Sequence, residues 1–376
     1  MPGLLPNVDP DGLLEYSVVY TDRAVNHMSA SFQSVMTDIS TTLQDVYHAD
    51  AVAVVPGSGT FGMEAVARQL ATDRNVLVLR NGLFSFRWSQ IFGMGGIPAS
   101  ETVLMARRTE PGSTTPFAPA PIEEVTATIA EQRPDVVFAP HVETSAGMLL
   151  PDAYVAAVAD AVHDVGGLFV LDCIASGALW VNMEELGVDV LLSAPQKGWS
   201  ASPCCGLVML SPAGRAAVEA STSTSFACDL GKWLQIMGAY EAGGHAYHAT
   251  MPTDGLTVFR DVMAETANYG FDKVRDEQIE LGRRVRASLS ARSVPSVAAA
   301  GFEAPGVVVC YTDDPSIQNG SRFAAAGMQV AGGVPLQCDE GDDFSTFRLG
   351  LFGLDKLHDI DRTVASLDAV LDRVFE

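Results

Sequence analysis

The sequence has no apolar run near the ~20 residues needed to span a bilayer. Its N-terminus combines no basic segment, apolar core and small-residue cleavage site of the secretory kind. The expectation is a cytoplasmic protein with no membrane partner. The chain also lacks a C-x-x-C pair. Cys173, Cys204, Cys205, Cys228, Cys310 and Cys338 are irregularly spaced, which implies neither a zinc site nor a disulfide framework. Adjacent Cys204 and Cys205 read as small buried hydrophobes rather than a redox couple. Positive charge is scarce, with 23 Lys and Arg against 46 Asp and Glu for a net charge of −23. Such a chain repels phosphate backbones and anionic lipid, so nucleic acid is not an expected partner. No repeat of fixed period is visible.

What is present fits a large α/β enzyme. The 376 residues are 48% hydrophobic and 18% charged, enough for two packed layers or two domains. Ala51–Val55, Asn75–Leu79, Asp135–Ala139, Leu168–Leu171, Val188–Leu192 and Gly206–Leu210 are nearly continuous apolar runs, the pattern of strands buried on both faces. Between them, Met63–Ala71 and Ala153–Val165 carry apolar residues three and four apart, as helices do. The alternation predicts a mostly parallel central sheet flanked by helices. The Pro-, Thr- and Ser-rich stretch Thr109–Ala120 reads as a surface loop. After about residue 255 the pattern changes to long helices, Thr257–Tyr269 and Asp272–Ser290. Short strands follow at Val307–Tyr311 and Thr346–Leu349, then a helix from Asp359 to Phe375. This predicts a smaller C-terminal α+β domain.

In open α/β sheets ligands bind outside the carboxyl ends of the strands, and polar residues collect there. Gly57-Ser58-Gly59-Thr60-Phe61-Gly62 follows the first run and matches G-x-G-x-x-G. A dinucleotide fold wants an acid about 20 residues on, where this chain has Arg80. Arg80 could accept a 2′-phosphate, so an NADP-binding oxidoreductase stays open, as does a ligand-free turn. Either way, free N–H groups and hydroxyls at a helix N-terminus favour an anion. Asp172 follows Leu168–Leu171, Thr144 follows Asp135–Ala139, and Gln196-Lys197 follows Val188–Leu192. Alone, Lys197 reads as a surface lysine and Asp172 as a cap. Together, a phosphate turn, a strand-end aspartate and a strand-end lysine are the parts that pyridoxal phosphate requires. A partly desolvated lysine becomes a nucleophile for aldehydes.

With Asp172-Cys173-Ile174-Ala175-Ser176-Gly177 and Ser193-Ala194-Pro195-Gln196-Lys197, the chain resembles the class V, fold-type I, pyridoxal-phosphate aminotransferases. It is similar to the alanine–glyoxylate and serine–pyruvate enzymes over most of its length, from about His27. The resemblance implies three parts: an N-terminal segment, 1–26, lining the substrate pocket; a large cofactor domain, 27–255; and a small domain, 256–376. It implies that Ser58, Gly59, Thr60 and Gln196 bind the phosphate of pyridoxal 5′-phosphate, although many relatives have His in place of Thr60. Phe84 and Ile174 would cover the two faces of the ring, and Thr144 would approach its phenolic oxygen. Asp172 would pair with the ring nitrogen and Lys197 would form the Schiff base. Tyr247 and Thr250 would reach the neighbouring site of a homodimer, and Arg348 would clamp a substrate carboxylate.

The implied reaction is ping-pong transamination from a small amino acid to a small 2-oxo acid, glyoxylate or pyruvate first, with Lys197 moving the proton. A 2-aminoethylphosphonate transaminase is an alternative. So is a cysteine desulfurase or other lyase using Cys338, although the acidic stretch Cys338-Asp339-Glu340-Gly341-Asp342-Asp343 and Gln196 before the lysine speak against it. The chain departs from the family's N-terminal Pro-Gly-Pro loop, reading Glu15-Tyr16-Ser17-Val18-Val19-Tyr20-Thr21-Asp22 instead. That change puts the substrate pair in question more than the cofactor.

Overall fold

The computed structural model describes residues 9–375, so the first eight residues of the 1–26 segment lie outside it. A seven-stranded sheet organises the chain. Its strands are β1 (Ala51–Pro56), β2 (Asn75–Arg80), β3 (Ser100–Met105), β4 (Val136–Pro140), β5 (Leu168–Asp172), β6 (Val190–Ser193) and β7 (Cys205–Leu210). They lie in the order β1-β7-β6-β5-β4-β2-β3. Only β7 runs against the others, pairing antiparallel with both β1 and β6. The carboxyl ends of β1, β2, β4, β5 and β6 therefore share one edge. Val52–Val55, Val76–Leu79, Val136–Ala139 and Phe169–Leu171 are buried, because helices cover both faces of the sheet.

Helices α1 (Ala30–Tyr47), α2 (Gly59–Leu70), α3 (Leu83–Gly95), α4 (Ile122–Gln132), α5 (Asp152–Asp164), α6 (Pro212–Glu219) and α7 (Leu230–Glu241) belong to this body. The α1 segment looks polar, yet it buries one stripe made of Phe32, Val35, Met36, Ile39, Leu43 and Tyr47, with the spacing of one helical face. The Ser29 hydroxyl caps its start by accepting from Phe32 N, and His48 ends it in the left-handed region at φ 53°.

The C-terminal part contains α8 (Thr253–Tyr269), α9 (Phe271–Ala291), β8 (Val307–Tyr311), β9 (Ala331–Gly332), β10 (Thr346–Gly350) and α10 (Ile360–Phe375). The strands form an antiparallel sheet, β8-β10-β9. A separate core joins them to Val274, Leu281 and Val285 of α9 and to Leu367, Leu371 and Val374 of α10.

Several boundaries differ from the sequence reading. The first sheet-crossing helix begins at Gly59 rather than Met63, because the phosphate turn itself is its first turn. The β6 run starts at Val190. Asp189 just before it turns aside to accept from Phe169 N at 2.8 Å and to meet His163 at 2.9 Å. The stretch Thr109–Ala120 is not wholly a surface loop: Phe117–Ala118 pairs with Arg107–Arg108, and Phe117 is buried. Among the described residues no helix is long and apolar enough to cross a membrane.

Candidate active site

Five strand ends deliver the predicted residues to one edge of the sheet. After β1, Ser58 sits in extended backbone before α2, and its side chain makes no capping bond. Its hydroxyl remains available to a ligand. Gly59 is packed so closely that a Cβ would lie 2.7 Å from Ile174 Cδ1 and 3.3 Å from Ala194 Cβ. Only glycine lets the α2 terminus approach the ends of β5 and β6 this closely.

After β2, Asn81-Gly82 leads into α3. This helix start is held by Glu143, at the end of β4, whose carboxylate accepts from Phe84 N at 3.2 Å, Ser85 N at 2.9 Å and Ser85 Oγ at 2.7 Å. The same carboxylate accepts from Ser145 N at 3.0 Å and Ser145 Oγ at 2.6 Å. A buried anion at a helix N-terminus is well placed against the backbone dipole. Half-buried Thr144 lies between Glu143 and Ser145. Phe84, also half-buried, has the Arg87 guanidinium 5.1 Å and the Arg348 guanidinium 5.9 Å from its ring centroid.

After β5, Asp172 is buried, and Oδ1 accepts from Ile174 N at 2.9 Å. Burial pushes its acid pKa up to about 7, against the Ile174 hydrogen bond; Glu143 adds to the rise and Arg87 opposes it. No ion pair is formed by Asp172 among the described residues, so its carboxylate suits a cationic ligand. His141, one element away, is buried with Nδ1 2.8 Å from Ser176 Oγ, and burial holds its pKa down to about 4.

After β6, the chain makes a tight turn. Ala201 N donates to Pro195 O at 2.9 Å and Ser200 N to Lys197 O at 3.0 Å. A Cβ on Gly198 would stand 1.8 Å from Gly177 O, so this turn tolerates only glycine. Trp199 anchors it, fully buried, with its ring 4.7 Å from that of Trp180 and 5.9 Å from that of Phe271. Lys197 is thereby held half-buried, with Nζ 5.2 Å from the centre of the Phe352 ring. Burial, then the Arg348 charge, lowers its pKa, which favours the neutral nucleophilic amine. Arg348 comes from β10. Its Nε donates to Gly332 O at 2.9 Å, which leaves the Nη groups of the guanidinium for a ligand.

The structure thus brings Ser58, Gly59, Thr60, Phe84, Thr144, Asp172, Ile174, Gln196, Lys197 and Arg348 to the strand-end edge. It places Tyr247 and Thr250 elsewhere. They lie on an exposed loop, bonded to each other through their hydroxyls at 3.2 Å, with the Tyr247 ring 5.6 Å from that of His27. Sequence reasoning missed Glu143, whose partners are 58 and 59 residues away, and Arg87, whose Nη1 donates to Thr60 Oγ1 at 3.1 Å. Their signal was an acid beside Thr144 and an arginine one turn beyond Phe84.

The residues present fit pyridoxal phosphate. Ser58 presents an uncommitted hydroxyl at a helix N-terminus, suited to an anion, and Asp172 is buried with no ion pair among the described residues, suited to a cation. The dinucleotide reading fits less well, because β1 is an edge strand paired only with antiparallel β7. A dinucleotide crevice needs parallel strands diverging around that turn. The desulfurase reading also weakens: the Cys338 thiol is buried and pushed up to about 12, chiefly by burial and then by Glu143 and Glu340.

Fold and edge together define a fold-type I pyridoxal-phosphate enzyme. Comparison with known proteins carries this further. The chain is 30% identical to 2-aminoethylphosphonate–pyruvate transaminase 1 of Burkholderia lata over 92% of each chain. It is 25% identical to a Synechococcus protein named soluble hydrogenase, small subunit, over 92% of this chain and 87% of that one. Among solved structures, alanine–glyoxylate aminotransferase of Nostoc sp. matches with a TM-score of 0.79 at 20% identity, over 94% of this chain and 89% of that one. No family model matches. The chain belongs to the class V pyridoxal-phosphate-dependent aminotransferases. It is an aminotransferase that uses pyridoxal 5′-phosphate.

Proposed function

We propose that the protein moves an amino group from a small amino acid to a small 2-oxo acid, glyoxylate or pyruvate first, in two half-reactions at one site. The observation that carries this reading is Lys197, held half-buried at the end of β6 with its basicity lowered, beside the carboxylate-binding Arg348. In this reading a large unit, 27–255, holds the cofactor, the C-terminal unit, 256–376, contributes Arg348, and the 1–26 segment borders the substrate pocket. Ser58, Gly59, Thr60 and Gln196 would hold the phosphate, Phe84 and Ile174 would bracket the ring, Thr144 would face its phenolic oxygen, and Asp172 would hold the ring nitrogen. When bound, pyridoxal phosphate supplies an aldehyde to take the amine and a ring that absorbs the electrons released at the substrate α-carbon.

The chain's own residues do the rest. Arg348 fixes the carboxylate with its free fork, setting the α-carbon toward Lys197. The Lys197 amine, once neutral, takes the α-proton and returns it two atoms away, across the amino nitrogen. Asp172 keeps the ring-nitrogen proton in place through its buried carboxylate. A 2-oxo acid leaves first, and the second oxo acid enters on Arg348.

The N-terminal segment is held by its own hydrogen bonds and by the chain just after the Tyr247–Thr250 loop. Glu15 accepts from Asn26 Nδ2 at 2.8 Å, and the Tyr20 hydroxyl donates to Met251 O at 3.0 Å. We read exposed Tyr247, with exposed Phe226 4.6 Å from the neighbouring His248 ring, as facing a second subunit, with Thr250, in a homodimer. A cytoplasmic location belongs to the same reading, supported by six free cysteines.

A second donor, 2-aminoethylphosphonate, is favoured by the identity to the Burkholderia enzyme. The test is a half-reaction screen. Amino acids and 2-aminoethylphosphonate are added singly to the loaded enzyme, and the carbonyl product is counted before any acceptor is present. One product per site from a small amino acid is expected. Release from 2-aminoethylphosphonate alone would install the second donor. Borohydride trapping followed by peptide mapping is expected to find the cofactor on Lys197, one of four lysines in the chain. A tag on Lys232, Lys273 or Lys356 would sink the reading.

A further inference from the structure

We propose that Arg87 is a cofactor-binding residue, the cation that balances the phosphate held by the Ser58–Thr60 turn. The inference rests on the assignment of that turn above and adds a residue that the turn itself does not contain.

The phosphate turn offers hydroxyls, amides and a helix terminus. A helix N-terminus carries only about half a positive charge, whereas a phosphate monoester carries roughly −1.5 to −2 near neutral pH. Something must supply a whole charge. Arg87 lies on α3 three residues beyond Phe84, so both project from one face of the helix. Its Nη1 donates to Thr60 Oγ1 at 3.1 Å, and its guanidinium lies 5.1 Å from the centre of the Phe84 ring. The contact joins the phosphate turn to the ring-covering aromatic.

The rest of its surroundings are as informative. Acidic residues outnumber basic ones two to one in this chain, and most surface arginines have found one. Arg68, Arg215, Arg260, Arg275, Arg283 and Arg292 each pair with Asp or Glu. Among the described residues Arg87 forms no such pair. Thr60 takes one of the five donors a guanidinium carries. The nearest competing assignment is that Arg87 serves Asp172. That carboxyl accepts its hydrogen bond from Ile174 N instead, and it forms no ion pair with Arg87, whose charge acts on it only from beyond contact.

Two probes separate the roles. Pyridoxal phosphate and pyridoxal share the ring nitrogen and the aldehyde and differ only in the phosphate. Equilibrium binding of each to the cofactor-free protein is read by fluorescence quenching, for wild type and Arg87→Met. The expected result is a tenfold or greater weakening for pyridoxal phosphate with pyridoxal changed less than twofold. Inorganic phosphate is expected to compete with pyridoxal phosphate on the wild type and to lose that competition on the variant. Equal weakening of both probes would assign Arg87 to the ring or to Asp172 and overturn the proposal, and so would no change in either. Arg87→Lys, which keeps the charge, and Arg87→Gln, which removes it but can still donate to Thr60, repeat the test if Arg87→Met does not fold. Partial retention is expected from the first and a phosphate-specific loss from the second. Wild-type mapping away from Lys197 would defeat the site reading itself. Correct mapping with an unaffected variant defeats only the role of Arg87.

Discussion

Two carboxylates are buried at the same edge of the central sheet and are partnered in opposite ways. Glu143, wholly buried, accepts five hydrogen bonds from Phe84, Ser85 and Ser145. Asp172 accepts one, from Ile174 N, and its pKa is pushed up to about 7 by burial. The first anion is satisfied by the protein alone and fastens α3 to the end of β4. The second is left short of partners in a low-dielectric site, a cost of several kcal/mol for a bare ion that a bound cation offsets. A satisfied buried acid maintains the architecture, while an under-satisfied one marks where a ligand completes it.

The sharpest way to break this contrast is Asp172→Asn. If the carboxylate holds a ring-nitrogen proton, the amide, which cannot, is expected to lower kcat by roughly 10³-fold, the scale of losing one preorganised electrostatic contact. Single-turnover product release measures it. A variant retaining more than a tenth of wild-type turnover would place Asp172 alongside Glu143 as a structural group.

The same residue predicts a pH signature in the cofactor-free protein. An acid whose pKa rises from 3.8 to about 7 on folding is neutral in both states below pH ~4, so it costs the fold nothing there. As pH climbs, the unfolded chain ionises first and stability falls until the folded group also ionises. Three units correspond to roughly 4 kcal/mol. Denaturant midpoints are expected to show Asp172→Asn level with wild type near pH 4 and more stable at pH 8. A flat difference across that range would mean the carboxylate has partners in the folded state. Adding pyridoxal phosphate is expected to shrink the gap, because a ring cation stabilises the ionised aspartate.

Glu143→Gln tests the other half. The amide keeps the shape, but its NH₂ faces donors, leaving one or two N–H or hydroxyl groups unsatisfied at about 1–3 kcal/mol each. A loss of roughly 2–3 kcal/mol in denaturant stability is expected, with pyridoxal phosphate affinity moving less than in Asp172→Asn. Unchanged stability would show that α3 does not depend on this anchor.

How much of this was legible in the sequence follows from what each feature depends on. The strands β1, β2, β4 and β5 announce themselves, because burial on both faces demands unbroken runs such as Val52–Val55. Strand β3 does not: at the sheet edge its side chains are exposed or half-buried, and its Ser100-Glu101-Thr102 start looks like a loop. Helix α1 was hidden by its serines and threonines, although Phe32, Met36, Ile39 and Leu43 held the right spacing. Within the site, Asp172 and Lys197 stand out because each directly follows an apolar run. Glu143 and Arg87 acquire meaning only when β4, α2 and α3 are brought together, and no local pattern encodes that contact.

The smallest expected effect belongs to Cys338, and it follows from Glu143 as well. A desulfurase thiol must be exposed and acidic, whereas Cys338 is buried, donates from Sγ to Arg80 O at 3.3 Å, and feels the fixed charges of Glu143 and Glu340. Each factor disfavours the thiolate, and the anion that secures α3 contributes to it. Serine can keep the hydrogen bond at nearly the same volume, so Cys338→Ser is expected to leave transamination within about twofold, equivalent to ~0.4 kcal/mol in the barrier. Wild type given cysteine is expected to release no sulfide. Sulfide that appears with wild type and vanishes with Cys338→Ser would mean this loop opens to expose the thiol, and would move the reaction from transfer of nitrogen to cleavage of a carbon–sulfur bond.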